Sequence, residues 1–178
     1  MSNICERIAI YHGDITRMGV DAIVNAANPG LIGGSGVDGA IHLAAGPELQ
    51  QYCRGLGGCA VGKAKLSPAF RLPCEAVIHT VGPIWVDGRH GEAELLRSCY
   101  VESLQLAAAH GHYTVAIPAI STGAYGYPAG EAAEIAFAAV CEMLRELPQL
   151  RKVYLVAFDN TTHDIYQLLY RQLTESAQ

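Results

Sequence analysis

The sequence predicts an α/β fold in which helices cover both faces of a largely parallel sheet. Two observations carry this prediction: apolar runs of strand length recur along the chain, and segments with helical spacing lie between them. The composition agrees, because 51% of the 178 residues are hydrophobic and only 16% are charged, as in a chain that buries a core. Neither a repeat nor a linker interrupts the pattern, so we expect residues 1–178 to form one domain.

Each expected strand is a short apolar run bounded by polar or turn-forming residues. In chain order these runs are 8–11, 22–26, a weaker one at 64–66, 76–81, 115–120 and 153–158. Helices are expected where apolar residues recur every three or four positions. In chain order these segments are 38–45, 48–56, 96–107, 136–147 and a terminal helix at 162–173.

Charge and hydropathy exclude several classes of function. The net charge is −5 and lysine and arginine form no run, which argues against a nucleic-acid surface. No apolar run is long enough to span a membrane, and residues 1–7 do not resemble a signal peptide, so we expect a cytoplasmic protein. The six cysteines are scattered and the histidines lack ligand spacing, so we expect reduced thiols and no metal.

Four clusters of polar or glycine residues close or directly follow expected strands. They are residues 13–16, 25–29, 121–128 and 159–160. If the strands run parallel, these clusters meet at the carboxyl edge of the sheet, where open α/β sheets bind ligands.

Two glycine motifs are similar to nucleotide-binding signatures but have the wrong surroundings. Gly34, Gly36 and Gly39 form a G-x-G-x-x-G, yet it begins several residues after the strand, and no acidic residue follows at the distance of a ribose partner. Residues 57–63 match the start of a P-loop, but Ala64 stands where a hydroxyl would hold Mg²⁺. We therefore exclude a Rossmann dinucleotide site and nucleotide hydrolysis.

The distribution of basic residues indicates how a phosphate would be held. Residues 18–53 and 98–144 contain no lysine or arginine, and both glycine-rich loops, 33–36 and 121–128, fall inside these gaps. Backbone amides are then the donors, helped at the first loop by the dipole of the helix that follows. This pattern predicts a pyrophosphate clamped between the two loops.

Several single residues allow a structural and a functional interpretation. Asp38 is either the N-cap of the helix expected to begin there or a carboxylate that faces a neutral ribose or a water. Asn25 and Asn28 either form turn hydrogen bonds or bind sugar hydroxyls. Asp14 is a turn residue or an acceptor for an exocyclic amine, and Phe158 is a core residue or a stacking platform.

Together these motifs resemble the macrodomain family, and within it the MacroD-type hydrolases. The matching segments, 13–16, 20–28, 33–39, 79–83 and 118–128, lie in order along nearly the whole chain. The resemblance implies a three-layer α/β/α sandwich around a mixed, largely parallel sheet of about six strands, with ADP-ribose in a cleft. Ser35 departs from a glycine of the family, and Leu43 departs from a common arginine.

The resemblance also implies roles for the site residues. Asn28 and Asp38 are expected to meet the distal ribose and act in catalysis, with Asp38 orienting or activating a water. Asp14 and Ile15 are expected at the adenine. The full set of expected ligand-binding residues is Asp14, Ile15, Asn25, Gly34, Ser35, Gly36, Val37, Ser121, Thr122, Gly123, Ala124, Tyr125 and Phe158.

The implied activity is hydrolysis of esters on the distal ribose of ADP-ribose, without a cofactor. Its substrates would be O-acetyl-ADP-ribose and proteins that carry mono-ADP-ribose on acidic side chains. Two alternatives share the same cleft, namely a non-catalytic ADP-ribose reader and a phosphatase acting on ADP-ribose-1″-phosphate. The cysteine and histidine ligands of the zinc-dependent branch are missing around the first glycine loop, so that branch is excluded.

Overall fold

The computed structural model describes residues 3–178, and within them the chain forms six strands and five α-helices. The strands are β1 (Ile8–His12), β2 (Ala22–Ala27), β3 (Ala64–Pro68), β4 (Ala76–Val81), β5 (Thr114–Pro118) and β6 (Lys152–Ala157). The α-helices are α1 (Gly36–Ala45), α2 (Pro47–Arg54), α3 (Glu92–Ala109), α4 (Ala129–Glu146) and α5 (Asn160–Ser176). No helix in residues 3–178 has the length and hydropathy needed to cross a membrane.

All six strands belong to one mixed sheet with the order β1-β6-β5-β2-β4-β3. Every neighbouring pair is parallel except β3 and β4, so the single antiparallel strand lies at one edge. The carboxyl ends of five parallel strands therefore meet along one edge of the sheet. This arrangement confirms the largely parallel sheet that the sequence predicts.

Helices cover both faces of the sheet and produce two separate apolar cores. Ile41 of α1 and Leu49 of α2 are buried with Ile23, Val77 and other strand residues on one face. The helices α3, α4 and α5 pack on the opposite face. All six residues of β4 are buried, as expected for a strand between two helical layers. The predicted three-layer α/β/α sandwich is therefore confirmed.

All five helices begin earlier than the apolar spacing predicts, and the differences at α4 and α1 are the informative ones. The helix α4 starts at Ala129, directly after Pro128, whereas the spacing indicates residue 136. Its first turn contains Ala129 and Gly130, which add no large apolar side chain to the pattern. The helix α1 begins at Gly36 instead of residue 38. This second difference changes the role of Asp38, as the site shows.

Candidate active site

A cavity of about 750 Å³ opens at the carboxyl edge of the sheet. Its walls come from the segments that follow β1, β2, β4, β5 and β6 and from the first residues of α1. The lining residues include Asp14, Ile15, Asn28, Gly34, Ser35, Gly36, Val37, Asp38, Gly82, Ser121, Thr122, Gly123, Ala124, Tyr125, Val156, Phe158, Asp159 and Thr162. The four sequence clusters are thus brought together around one cavity.

The first wall is the glycine loop that leads into α1. Gly36 has a φ of +62°, which favours glycine, whereas Ser35 has an extended backbone with a φ of −95°. The serine found in place of the family's glycine therefore causes no strain. A Cβ on Gly39 would overlap the carbonyl oxygen of Gly34, so Gly39 allows the loop to fold back closely on the helix. The unpaired N–H groups at the start of α1 make this wall suited to an anion.

Asp38 is the third residue of α1, and it is only 6% exposed although it lines the cavity. Its Oδ2 accepts a hydrogen bond from the Gly34 N–H at 2.8 Å, and its Oδ1 accepts one from Asn25 Nδ2 at 2.8 Å. His42 Nε2 lies 3.4 Å from Oδ1. The N-cap position belongs to Ser35. Of the two interpretations of Asp38, the N-cap is therefore contradicted, because the helix begins two residues earlier.

The two asparagines near β2 occupy different places. Asn28 lines the cavity, where its Oδ1 accepts from the Ile32 N–H at 3.0 Å and its Nδ2 donates to the Ile32 carbonyl. Asn25 is completely buried and lies behind Asp38, outside the residues that line the cavity. A direct contact between Asn25 and a ligand therefore does not follow from its position. Its side-chain nitrogen instead contacts Asp38 and His79.

The second wall is the loop from Ser121 to Tyr127. Ser121 has a φ of +67°, an uncommon backbone conformation for a residue with a side chain. Its Oγ is buried and has no hydrogen-bond partner within the described residues. The loop is fixed by the Tyr127 N–H, which donates to the Ser121 carbonyl at 2.9 Å, and by the Trp85 N–H, which donates to the Tyr125 carbonyl at 2.8 Å. A strained, unpaired serine in a cavity wall is consistent with a ligand-binding role.

Residues after β1 and β6 form a third part of the cavity. Asp14 Oδ1 accepts from Thr16 Oγ1 at 2.7 Å and from the Thr16 N–H at 2.9 Å. These hydrogen bonds hold the pKa of Asp14 below its usual value, and the bond from the Thr16 side chain has the largest effect. The charge of Arg17 lowers the pKa further. Phe158 is 84% exposed at the end of β6. This exposure contradicts the core interpretation of Phe158 and leaves its ring available for stacking.

The charge of the cavity agrees with the amide-based phosphate site. Asp14, Asp38 and Asp159 are the acidic lining residues, and the described residues that line the cavity include no lysine or arginine. An anion in this cavity would be held by backbone N–H groups and the α1 dipole.

Comparison with known proteins identifies the family. The Macro domain family model matches residues 24–136 of the chain. The chain is 54% identical over 170 residues to the O-acetyl-ADP-ribose deacetylase of Citrobacter rodentium, which covers 93% of this chain and 96% of that protein. It is 57% identical over 154 residues to a macro domain-containing protein of Chlorobaculum tepidum. This match covers 86% of this chain and 90% of that protein.

The chain belongs to the macro domain family. Solved macrodomains resemble the chain in structure as well as in sequence. A mutant macrodomain of Oceanobacillus iheyensis solved with ADPR superposes with a TM-score of 0.92 at 40% identity, over 97% of both chains. The macrodomain of Trypanosoma brucei in complex with ADP-ribose gives a TM-score of 0.89 at 37% identity, over 94% of this chain and 71% of that one.

The structure places most of the expected site residues of this macrodomain on one surface. Every expected residue except Asn25 lines the cavity. Leu43, the other departure from the family pattern, is 87% exposed on α1 and outside the lining. Gly82, Val156 and Thr162 also line the cavity but were not among the expected residues, whereas Asp159 belongs to the predicted cluster 159–160. Gly82 directly follows β4, and that position could have indicated it.

One further cluster of potential ligand atoms was not expected from the spacing of histidines. Asp87, His90 and Glu92 place one atom each within 4.8 Å of one another, outside the cavity lining. The Glu92 carboxylate accepts the backbone N–H groups of residues 86, 87, 88 and 90. Burial raises the pKa of Glu92, but these hydrogen bonds outweigh burial and lower the pKa to about 2. The bond from the Gly88 N–H contributes most to the lowering. Glu92 therefore serves as the anchor of the loop before α3.

Proposed function

We propose that this macrodomain hydrolyses esters on the distal ribose of ADP-ribose, and that O-acetyl-ADP-ribose is its substrate. The observation that carries the proposal is the position of the Asp38 carboxylate beside a cavity whose two glycine loops offer amides to a diphosphate. The macro domain family and the relatives named O-acetyl-ADP-ribose deacetylase support this activity.

In the proposed complex the diphosphate lies between the glycine loop of α1 and the loop that begins at Ser121. The buried Ser121 hydroxyl, which has no partner among the described residues, would donate to the ligand. Adenine would lie near Asp14 and Ile15, against the exposed ring of Phe158. Asp14 is negatively charged near pH 7, and its lowered pKa strengthens this preference, so it can accept from the exocyclic amine.

The distal ribose would then reach Asp38 and Asn28. Each oxygen of the Asp38 carboxylate accepts one hydrogen bond from the protein, and each has a second lone pair for a water or a ribose hydroxyl. The water oxygen attacks the acyl carbon, the bond between that carbon and the ribose oxygen breaks, and the ribose oxygen takes a proton. Asp38 orients the water by accepting from it, and either Asp38 or a substrate phosphate receives the water's proton.

The proposal extends to proteins that carry mono-ADP-ribose on aspartate or glutamate, because their linkage is also an ester at the distal ribose. We further propose that residues 1–178 form a single macrodomain. A cytoplasmic location is supported by the six cysteines, which are all free and buried, as in proteins of reducing compartments.

A time course with two substrates tests the function. Purified protein is incubated with O-acetyl-ADP-ribose and, separately, with a protein ADP-ribosylated on acidic side chains. Release of acetate and of free ADP-ribose, measured by mass spectrometry, is the expected result. Tight binding of ADP-ribose without turnover of either ester would contradict the proposal and favour a reader. In a third incubation, with ADP-ribose-1″-phosphate, turnover of that compound alone would favour a phosphatase.

A further inference from the structure

A row of buried polar side chains continues from Asp38 into the protein, away from the cavity. Asn25 Nδ2 lies 2.8 Å from Asp38 Oδ1 and 3.1 Å from His79 Nδ1. On the far side of the ring, His79 Nε2 lies 2.8 Å from Ser67 Oγ. Asn25, His79 and Ser67 are all fully buried. Asn25 and His79 are register partners on β2 and β4, so the sheet itself places them side by side.

The hydrogen-bond chemistry of this row fixes where each proton lies. An amide nitrogen can only donate, so His79 Nδ1 must be unprotonated and must accept from Asn25. The proton of the neutral ring is therefore on Nε2 and is donated to Ser67 Oγ. Ser67 in turn donates to the Pro68 carbonyl at 3.1 Å. The opposite orientation of the Asn25 amide would place its oxygen against the Asp38 carboxylate, bringing two acceptors together.

We propose that His79 is a positioning residue for Asp38: by accepting one amide hydrogen of Asn25 it directs the other to the Asp38 carboxylate. The inference rests on the proposed function, in which Asp38 acts on the ester. Asn25 holds only one oxygen of Asp38, and the backbone of Gly34 holds the other. Without an acceptor at the Nδ1 position, the Asn25 amide can rotate and release Oδ1.

The surroundings of His79 keep it in the form that this role requires. Burial, with a contribution from the neighbouring His42, lowers the pKa of His79 to about 4. The ring is therefore neutral near pH 7. A protonated ring would carry a second N–H group, on Nδ1, next to the Asn25 amide nitrogen. Two hydrogen-bond donors would then face each other.

Two substitutions of His79 separate positioning from general structural support. His79→Asn places a carbonyl oxygen close to the former Nδ1 and can still accept from Asn25. His79→Gln places its polar atoms near the former Nε2 and leaves no acceptor at the δ position. With O-acetyl-ADP-ribose, we expect His79→Asn to keep most of the wild-type kcat and His79→Gln to lose about 10- to 100-fold, the range that a misplaced catalytic group produces.

Binding and stability are measured on the same variants. We expect both to bind ADP-ribose with wild-type affinity in calorimetry, because His79 lies outside the cavity lining. A purely structural role for His79 would instead lower unfolding stability and kcat equally in the two variants. Equal kcat values for the variants, or a wild-type kcat in His79→Gln, would overturn the proposal.

The tautomer of His79 provides a test that needs no variant and no substrate. Nitrogen NMR of protein labelled with ¹⁵N-histidine distinguishes the protonated from the unprotonated ring nitrogen. We expect a neutral ring with its proton on Nε2 near pH 7, and a proton on Nδ1 would overturn the inference. The result is independent of turnover, so it remains distinguishable from a failure of wild-type protein to hydrolyse esters, which would contradict only the proposed function.

Discussion

Gly82, the residue directly after β4, controls how closely the second glycine loop approaches the sheet. A Cβ at this position would lie 2.7 Å from Ile120 Cγ2 and closer still to Ser121 Oγ. Restoring the Ile120 contact to an ordinary 3.4 Å requires a movement of about 0.7 Å. Overpacking of this kind costs about 1–3 kcal/mol of stability. We therefore expect Gly82→Ala to displace the Ser121 loop.

The displacement should weaken binding of ADP-ribose, because the loop amides would no longer point at the diphosphate. Losing one hydrogen bond to a charged group costs about 1.5–3 kcal/mol, which corresponds to about 10- to 100-fold in Kd. Titration calorimetry with ADP-ribose measures this loss, and urea unfolding measures the stability. A Kd equal to that of the wild type would refute the role of Gly82.

A matched control adds the same methyl group where nothing opposes it. Gly130 lies in the first turn of α4, outside the cavity lining, and a Cβ there would have no neighbour within 4 Å. Gly130→Ala is expected to leave the affinity for ADP-ribose unchanged and to raise helix stability slightly, by up to about 1 kcal/mol.

Three more outcomes follow from the contacts of the site. Asp14→Asn keeps an acceptor for Thr16 but loses the charge, so it should weaken binding of ADP-ribose without affecting that of ribose 5-phosphate; equal losses for both would place Asp14 away from adenine. Excess chelator should leave the calorimetric Kd for ADP-ribose unchanged, whereas a higher Kd would show that binding requires a metal. Since the folded-state pKa of Glu92 is about 2 and its ordinary value is 4.5, its carboxylate adds stability above pH 4.5 that is lost as the pH falls towards 2. In Glu92→Gln, the free energy of unfolding measured with urea should lose this part of its dependence on pH. If the variant and the wild type show the same dependence on pH, the loop does not depend on the charge of Glu92.

The sequence predicted the elements of the fold and most of the cavity lining, because both depend on local patterns. Apolar runs locate the strands, and the polar residues after them mark the carboxyl edge of a parallel sheet. The order of the strands in the sheet could not be predicted in this way, because it depends on contacts between segments that are distant in the sequence. The partnership of Asn25 with His79, 54 positions apart, exists only because β2 and β4 are neighbours.

Errors in the prediction also have local physical causes. Asp38 was interpreted as a possible N-cap because aspartate is common at that position. The helix α1 begins instead at Gly36, directly after the extended Ser35, and the apolar spacing of residues 38–45 contains no information about these two residues. The ligand contact of Asn25 stays a prediction, and the structure places its side chain against Asp38 and outside the cavity lining.

The position of Asp38 gives the most direct test of the proposed chemistry. Asp38→Asn preserves the size of the side chain and one acceptor oxygen, but it removes the charge and turns an amide group towards Gly34 or Asn25. The unpaired donors should cost about 1–3 kcal/mol of stability, which urea unfolding will report. In the proposed complex the diphosphate is held by the amides of the two glycine loops and not by this side chain.

The decisive measurement is therefore kcat for O-acetyl-ADP-ribose together with Kd for ADP-ribose, in wild-type protein and in Asp38→Asn. We predict that the variant binds ADP-ribose as the wild type does and that its kcat falls by about 10²- to 10⁴-fold, the usual loss for a group that activates water. A variant with the kcat of the wild type would contradict the account and leave the substrate's own phosphate as the group that receives the proton.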